Sequence, residues 1–169
     1  MTTRAKGMAA VLLCALPFTV QRPERPQELV LPGLGVHLRG GWRLLFRDPC
    51  RYAVPATWQP APDYGQVFAP DGSSLSMWAQ RLSSWSSHKS RLKTAFGPGS
   101  HVREENDARL WIEATPAGRL EDYIVVTDGS AACAVLLEIR TSMPNSRDTI
   151  AAIAESLGFV PSGWTPESR

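Results

Sequence analysis

The chain has 169 residues, 18 of them Lys or Arg and 16 Asp or Glu, and carries a formal net charge of +2 at neutral pH. This near balance argues against nucleic-acid binding, which leaves a strongly basic footprint. The length suits one domain with a single core. None of the three histidines stands at a metal-ligand spacing from a cysteine or another histidine, so we predict no metal site and no cofactor.

Residues 1–21 have the pattern of a secretory signal peptide. Arg4 and Lys6 precede an apolar run over residues 8–18, and Glu24 is the first acidic residue. This run is shorter than the roughly 20 apolar residues that cross a bilayer. Cleavage would leave a chain with no net charge and no integral membrane segment. We therefore predict an extracytoplasmic location, periplasmic or secreted, with an uncleaved anchor or a mis-assigned start codon as open alternatives.

Residues 22–41 are rich in Pro and Gly and predict a tether, with a short strand near 29–31. A single folded domain is expected over 42–160, followed by a C-terminal tail over 161–169. The first predicted strands cover 42–47, 51–55, 65–69 and 74–81. The last two are joined by Pro70-Asp-Gly72, a strong turn signal.

A helix is predicted next, capped by Ser83-Ser84 and ending at about Phe96 before Gly97-Pro-Gly99. Its apolar stripe is predicted to comprise Trp85, His88, Leu92, Ala95 and Phe96. Three cations lie mostly outside the stripe, namely Lys89, Arg91 and Lys93. They form a candidate interaction surface for an acidic partner or a lipid headgroup, and an ordinary solvated helix face is the alternative.

The remainder predicts strands over 102–106, 109–115, 120–127 and 131–140, then a helix that starts at Asn145 and ends at Gly158. Asp128-Gly129 predicts a two-residue hairpin turn. In the strand 131–140, Cys133 and Val135 point to one face and Leu136 to the other, so both faces are apolar. Such a strand belongs in the middle of a sheet that is covered on both sides.

This order of elements predicts an α+β fold. We expect a mostly antiparallel sheet of about six to eight strands with two helices packed on its faces. Trp78 and Trp111 fall on the face opposite the aliphatic residues of their strands, which also indicates that both faces are covered.

Two cysteines, Cys50 and Cys133, would remain after loss of Cys14 with the signal peptide. An even count in an oxidising compartment indicates a disulfide between them. The alternative is a small buried hydrophobe at Cys133 and a free surface thiol at Cys50.

The spacing of Ser86 and Lys89 on the predicted helix matches the Ser-x-x-Lys motif of serine acyl-transfer enzymes. Their companion segments are missing from this sequence, and the chain is much shorter than such enzymes. Nearby carboxylates fall at Glu104, Glu105, Asp107 and Glu113, and strand alternation separates the first two. A solvated edge is the favoured interpretation of these acids and a weak calcium site the alternative. We therefore predict no catalytic residues.

The segment Tyr52-Ala-Val-Pro-Ala-Thr-Trp58 resembles the opening signature of PsbP-like domains, in which aromatic and aliphatic residues precede a proline and a tryptophan. The later order of strands, middle helix, hairpin and terminal amphipathic helix is similar to that family, so the resemblance covers residues 44–159. It implies an α/β/α sandwich around an antiparallel sheet. It also implies a non-catalytic binding or assembly module, often exported. No binding residue of the family finds a matching motif in this chain.

The sequence thus predicts a small exported, non-enzymatic domain that binds an unknown protein or a component of the cell envelope. A carrier of a small ligand in a Trp-lined pocket is the first alternative. A hydrolase that uses Ser86 and Lys89 is the remote one.

Overall fold

The computed structural model describes residues 29–31, 36–38, 40–115, 119–140 and 145–162. The predicted signal peptide lies outside the described residues, as do most of the predicted tether and most of the C-terminal tail. The boundaries drawn for these segments therefore remain predictions.

The described residues form twelve strands and two helices. The strands are β1 (Leu29–Leu31), β2 (Val36–Leu38), β3 (Trp42–Arg47), β4 (Cys50–Pro55), β5 (Gln59–Pro60), β6 (Gln66–Phe68), β7 (Ser74–Arg81), β8 (Ser100–Glu105), β9 (Arg109–Ala114), β10 (Arg119–Thr127), β11 (Ala131–Arg140) and β12 (Gly158–Phe159). The helices are α1 (Trp85–Phe96), between β7 and β8, and α2 (Ser146–Ser156), between β11 and β12.

These strands form three antiparallel sheets. The large sheet has seven strands in the order β5-β6-β7-β11-β10-β9-β8, a small sheet has the order β12-β4-β3, and β1 pairs with β2. The α+β fold with a mostly antiparallel sheet of six to eight strands is confirmed. The strand β11 lies in the centre of the large sheet, as its two apolar faces predict.

One face of the large sheet is covered by the small sheet together with α2. The residues that β11 places on this face are Cys133, Val135, Leu137 and Ile139, all fully buried. Tyr52 and Val54 of β4 and Ile150 and Ile153 of α2 belong to the same core. The second helix therefore lies in one layer with the three strands of the small sheet. The reason is that β4 pairs with β12, which directly follows α2, and does not pair with a strand of the large sheet.

The opposite face is covered by α1. Tyr123 of β10 is the centre of this smaller core, with ring centroids of Trp78 and Phe96 at 5.7 and 5.5 Å. Each large apolar side chain buried in such a core contributes about 1.5–3 kcal/mol to the free energy of unfolding. The helix covers only part of the face, because Leu136 is half-buried and Phe68 is exposed.

Two local predictions were wrong in detail. The sequence predicts a helix that ends at Gly158, but α2 ends at Ser156, Leu157 is extended and Gly158 begins β12. A Cβ atom at Gly158 would lie 3.1 Å from the Arg51 guanidinium, so the close approach of Arg51 favours glycine there. The second prediction concerns the turn between β10 and β11, for which the sequence predicts two residues. The loop has three residues, because the Asp128 carboxylate accepts hydrogen bonds from the backbone N–H groups of Ser130 and Ala131.

A disulfide joins the two sheets. The Sγ atoms of Cys50 in β4 and Cys133 in β11 are bonded, and the Cα atoms are 5.7 Å apart. Both side chains are fully buried, and 83 positions separate them in sequence. The bond therefore fastens the small sheet to the central strand of the large one.

We expect reduction of this disulfide to lower the free energy of unfolding by about 2–4 kcal/mol, because the unfolded chain loses a long closed loop. Urea unfolding of oxidised and reduced protein, in a Cys14→Ala background, measures the difference. Thiol titration of the denatured, unreduced protein is the control, with no free thiol expected. Two free thiols per chain would contradict the bond.

Candidate functional site

The three cations predicted as an interaction surface lie on two sides of α1. Lys93 Nζ donates to both carboxylate oxygens of Glu105, at 3.1 and 2.9 Å, and Lys89 Nζ lies 3.3 Å from the same carboxylate. Lys89 also donates to the backbone carbonyl of Asn106 and lies 5.5 Å from the Trp85 ring. These two lysines thus hold α1 to the end of β8. Arg91 points elsewhere, toward β7.

The Ser-x-x-Lys pair does not form a nucleophile and base arrangement. The Ser86 hydroxyl lies 3.1 Å from that of Ser84, and its residue is exposed. The Lys89 amine is engaged by the Glu105 carboxylate and by the backbone carbonyl of Asn106. The Ser86 hydroxyl thus contacts another hydroxyl, and the Lys89 amine points to Glu105 and Asn106.

An open cleft of about 250 Å³ lies between α1 and β7. It is lined by Gln80, His88, Arg91, Leu92 and Ala95. His88 is 6% exposed, and its Nε2 lies 2.8 Å from Nε2 of Gln80. Burial lowers the pKa of His88, and the positive charge of Arg91 lowers it further. The cleft therefore offers an amide, a neutral imidazole and a guanidinium beside two apolar side chains.

The same cleft borders an unpaired strand edge. β6 pairs with β7 only over Ser74–Ser76, and the last hydrogen bond runs from the Met77 N–H to the Gly65 carbonyl, at 2.8 Å. The chain turns away at Tyr64, which has a left-handed φ of 54°. Within the described part of the chain, no strand pairs with the outer edge of β7 beyond Met77.

Two large apolar side chains are exposed on the segment that leads into this edge. Tyr64 is 44% exposed and Phe68 is 50% exposed, in contrast to Val67 between them, which is fully buried. Val67 faces Leu75 and the main core, so alternation places Phe68 on the other face of the sheet. Exposed aromatic side chains are typical of binding surfaces.

A buried carboxylate lies on the α2 side of the sheet. Asp122 of β10 is 0% exposed; its Oδ1 accepts from the indole Nε1 of Trp111 at 2.8 Å and from Arg147 at 3.3 Å. Arg147 also donates to Glu113, which pairs with Arg103, and the Arg103 guanidinium lies 4.3 Å from the Trp111 ring. Burial raises the pKa of Asp122, an effect that the Trp111 hydrogen bond and Arg147 reduce.

This network faces packed side chains rather than the cleft, and we interpret it as structural. It ties the first turn of α2 to β9 and β10. Sequence reasoning overlooked it, although a signal was present: Asp122 interrupts the alternation of Leu120 and Ile124, which both belong to the main core. A charge at a core position predicts a buried partner.

We expect Asp122→Ala to lower the free energy of unfolding by about 1–3 kcal/mol, because it leaves the Trp111 N–H without an acceptor. Asp122→Asn can keep that acceptor and serves as the matched variant. Burial raises the pKa of Asp122 in the folded protein above the unfolded value of about 3.9. At pH values between these two pKa values, the folded protein therefore binds one more proton at Asp122 than the unfolded chain does. The stability of wild type relative to Asp122→Asn should then fall as pH rises through this window and level off above it.

Urea unfolding of wild type and both variants between pH 3 and pH 7 measures these differences. A wild-type advantage that grows with pH would contradict the raised pKa.

The described residues contain no group of three or more His, Cys, Asp or Glu side chains placed to hold a metal ion. Over the same residues, neither helix has the length and apolar character that a bilayer crossing demands. The tryptophans that the structure describes pack against the cores or are buried in them, and none lines the cleft.

No family model and no curated protein matches the chain. Among solved structures, it is similar to a protein of Bacteroides thetaiotaomicron VPI-5482, with 13% identity, a TM-score of 0.49 and coverage of 70% of this chain. The match spans about half, 49%, of that protein. The chain is also similar to cyanobacterial PsbP (CyanoP) from Synechocystis sp. PCC 6803, with 11% identity, a TM-score of 0.47 and coverage of 78% of this chain and 98% of that one. The second protein belongs to the family that the sequence resembles, and at such identity the likeness concerns the fold alone.

Proposed function

We propose that the protein is an exported, non-enzymatic domain that binds another protein of the cell envelope. The observation that carries this proposal is the pair of exposed aromatic side chains, Tyr64 and Phe68, on the segment that pairs with β7 up to the point where its edge opens. Aromatic and arginine side chains are enriched at protein interfaces, and Arg81 and Arg91 are exposed in the same region.

Export is supported by the signal-peptide pattern and by the buried pair of cysteines. Structural disulfides persist in oxidising compartments and are rare in the cytosol. The bond between Cys50 and Cys133 lies in the main core, where both sulfur atoms are shielded from solvent and from soluble reductants. A periplasmic or secreted protein is the context in which such a bond forms during folding.

The cleft gives less support to a carrier of small ligands. Pockets that enclose such ligands have volumes of about 300–1,000 Å³ and predominantly apolar walls. This cleft has about 250 Å³ and is open to solvent, so it would not enclose such a ligand.

Export can be tested with a reporter. Residues 1–21 fused to alkaline phosphatase, which folds only where disulfides form, should give an active enzyme outside the cytoplasm. The matched control is the same fusion with Arg4→Glu and Lys6→Glu, which removes the basic start of the signal. Equal activity in the two fusions would contradict the signal peptide.

Protein binding can be tested by cross-linking in the cell. The full chain with a C-terminal tag should capture one or a few defined envelope proteins, and Tyr64→Ser with Phe68→Ser should reduce their recovery at least about tenfold, because alanine-type truncation of interface aromatics commonly costs 2 kcal/mol or more. Ser87→Ala with Glu155→Gln alters exposed residues elsewhere and should leave recovery unchanged. Equal protein sets from the tagged chain and from the tag alone would contradict the proposal.

A further inference from the structure

We infer that the open edge of β7 receives an extended peptide of another protein as an added strand, with a carboxylate side chain of that peptide seated in the cleft between β7 and α1. This inference rests on the proposed function and names the kind of partner. It is an instance of strand addition, in which main-chain hydrogen bonds supply affinity and side-chain pockets supply specificity.

The hydrogen-bonding direction of β7 alternates along the strand. On the β6 side, the Met77 N–H donates to the Gly65 carbonyl. On the β11 side, directly after the end of β7, the Leu82 N–H donates to the Ser130 carbonyl at 2.9 Å. Odd-numbered residues of β7 therefore direct their backbone groups toward β6, and even-numbered residues toward β11. It follows that the N–H and C=O groups of Ala79 and Arg81 point outward. Both residues are exposed.

Arg47 marks the point at which this edge opens. Its guanidinium donates to the Met77 carbonyl and lies 3.5 Å from the Asp63 carboxylate, beside Gly65. The arginine thus occupies the last ladder position shared by β6 and β7. Beyond it, four outward backbone groups, two from Ala79 and two from Arg81, are left for a partner strand.

Strand geometry fixes which side chain of the added peptide enters the cleft. The peptide residue opposite Gln80 lies on the same sheet face as Gln80, since paired residues share a face. That face carries α1, and Gln80 is itself part of the cleft wall. A side chain at this position therefore meets Gln80, His88 and Arg91, and its two neighbours point to the opposite face.

The charge of the cleft selects a carboxylate. Over the described part of the chain, Arg91, which lines the cleft, forms no ion pair. Two carboxylates on neighbouring elements are already engaged, Glu105 by the two lysines of α1 and Asp128 by the amides of its own loop. Nη2 of Arg91 lies 3.5 Å from Nδ1 of His88, and an Asp or Glu of the peptide would add an ion pair to this guanidinium and accept a hydrogen bond from the Gln80 amide.

The first measurement is amide hydrogen exchange of the free full-length protein by NMR. The Ala79 and Arg81 amides should exchange fast, and those of Trp78 and Gln80, paired with β11, should be protected. Protection of Ala79 and Arg81 in the free protein would overturn the inference, because the edge would already be covered. The mass in solution would then distinguish a second copy from another segment of the same chain.

The second measurement selects ligands from a phage-displayed library of random decapeptides. We expect enrichment of sequences rich in β-branched residues with an Asp or Glu at one fixed position. A synthetic peptide of the selected sequence should protect the Ala79 and Arg81 amides, and replacing its acid by the amide should weaken binding at least about tenfold. No enrichment, or enriched peptides without a fixed acid, would overturn the inference.

Two variants with matched controls test the contacts. Ala79→Pro removes an outward N–H without breaking the ladder to β11 and should abolish peptide binding, whereas Ala79→Thr keeps that N–H and should bind.

Arg91→Gln should weaken binding at least about tenfold, whereas Arg140→Gln removes an exposed charge elsewhere and should not. Thermal unfolding checks that each variant is folded. If Ala79→Pro does not fold, N-methylation of alternate amides in the peptide replaces it and should abolish binding.

These outcomes separate the inference from the proposed function. An envelope protein captured equally by wild type and by Ala79→Pro would overturn strand addition and leave protein binding intact. Failure of the wild-type chain to capture any protein would remove the proposed function itself, whatever the selected peptides do.

Discussion

The fold depends on the central strand β11, which is apolar on both faces. Cys133 and Val135 are fully buried on one side and Ala134 on the other, so neither face of the strand can be left in water. Each face therefore needs its own covering layer, and the chain supplies two different ones. A single helix covers one face, and a helix with three strands covers the other. The bond from Cys133 to Cys50 starts from this same strand and fixes the second layer to it.

The polar side chains that enter the interior serve the same purpose. Asp122 connects β10 to Trp111 in β9 and to Arg147 at the start of α2. Arg51 donates to the carbonyl groups of Ser156 and Phe159, at 2.7 and 3.2 Å, and so joins the end of α2 to β4. The partners of these buried or half-buried charges compensate for the loss of water around them, and removing one partner destabilises the fold. Both ends of α2 are positioned in this way.

The surface divides into regions with different uses. Lys89 and Lys93 of α1 form ion pairs with Glu105 and so hold the helix to β8. The region around the outer edge of β7 is different, since it combines unpaired backbone groups, two arginines, a cleft and exposed aromatic side chains. Edge strands are normally protected against pairing. On this edge, Arg47 protects the position next to β6, and the two residues beyond it are left accessible.

Local pattern alone determined the α+β class, the sheet position of β11 and the faces of Trp78 and Trp111, because alternation and the helical period depend only on neighbours in the chain. The partition into two sheets, the position of α2 and the site at β7 were decided by tertiary structure. No local signal tells whether β4 pairs with β12 or with the large sheet, because β-pairing is made between segments far apart in sequence. The cleft is equally nonlocal, since Gln80 gains His88 and Arg91 as neighbours only when α1 packs back onto the sheet. The cations of α1 show most clearly what sequence spacing cannot predict. Their spacing predicted one interaction surface, but in the structure Lys89 and Lys93 pair with Glu105 and Arg91 lines the cleft.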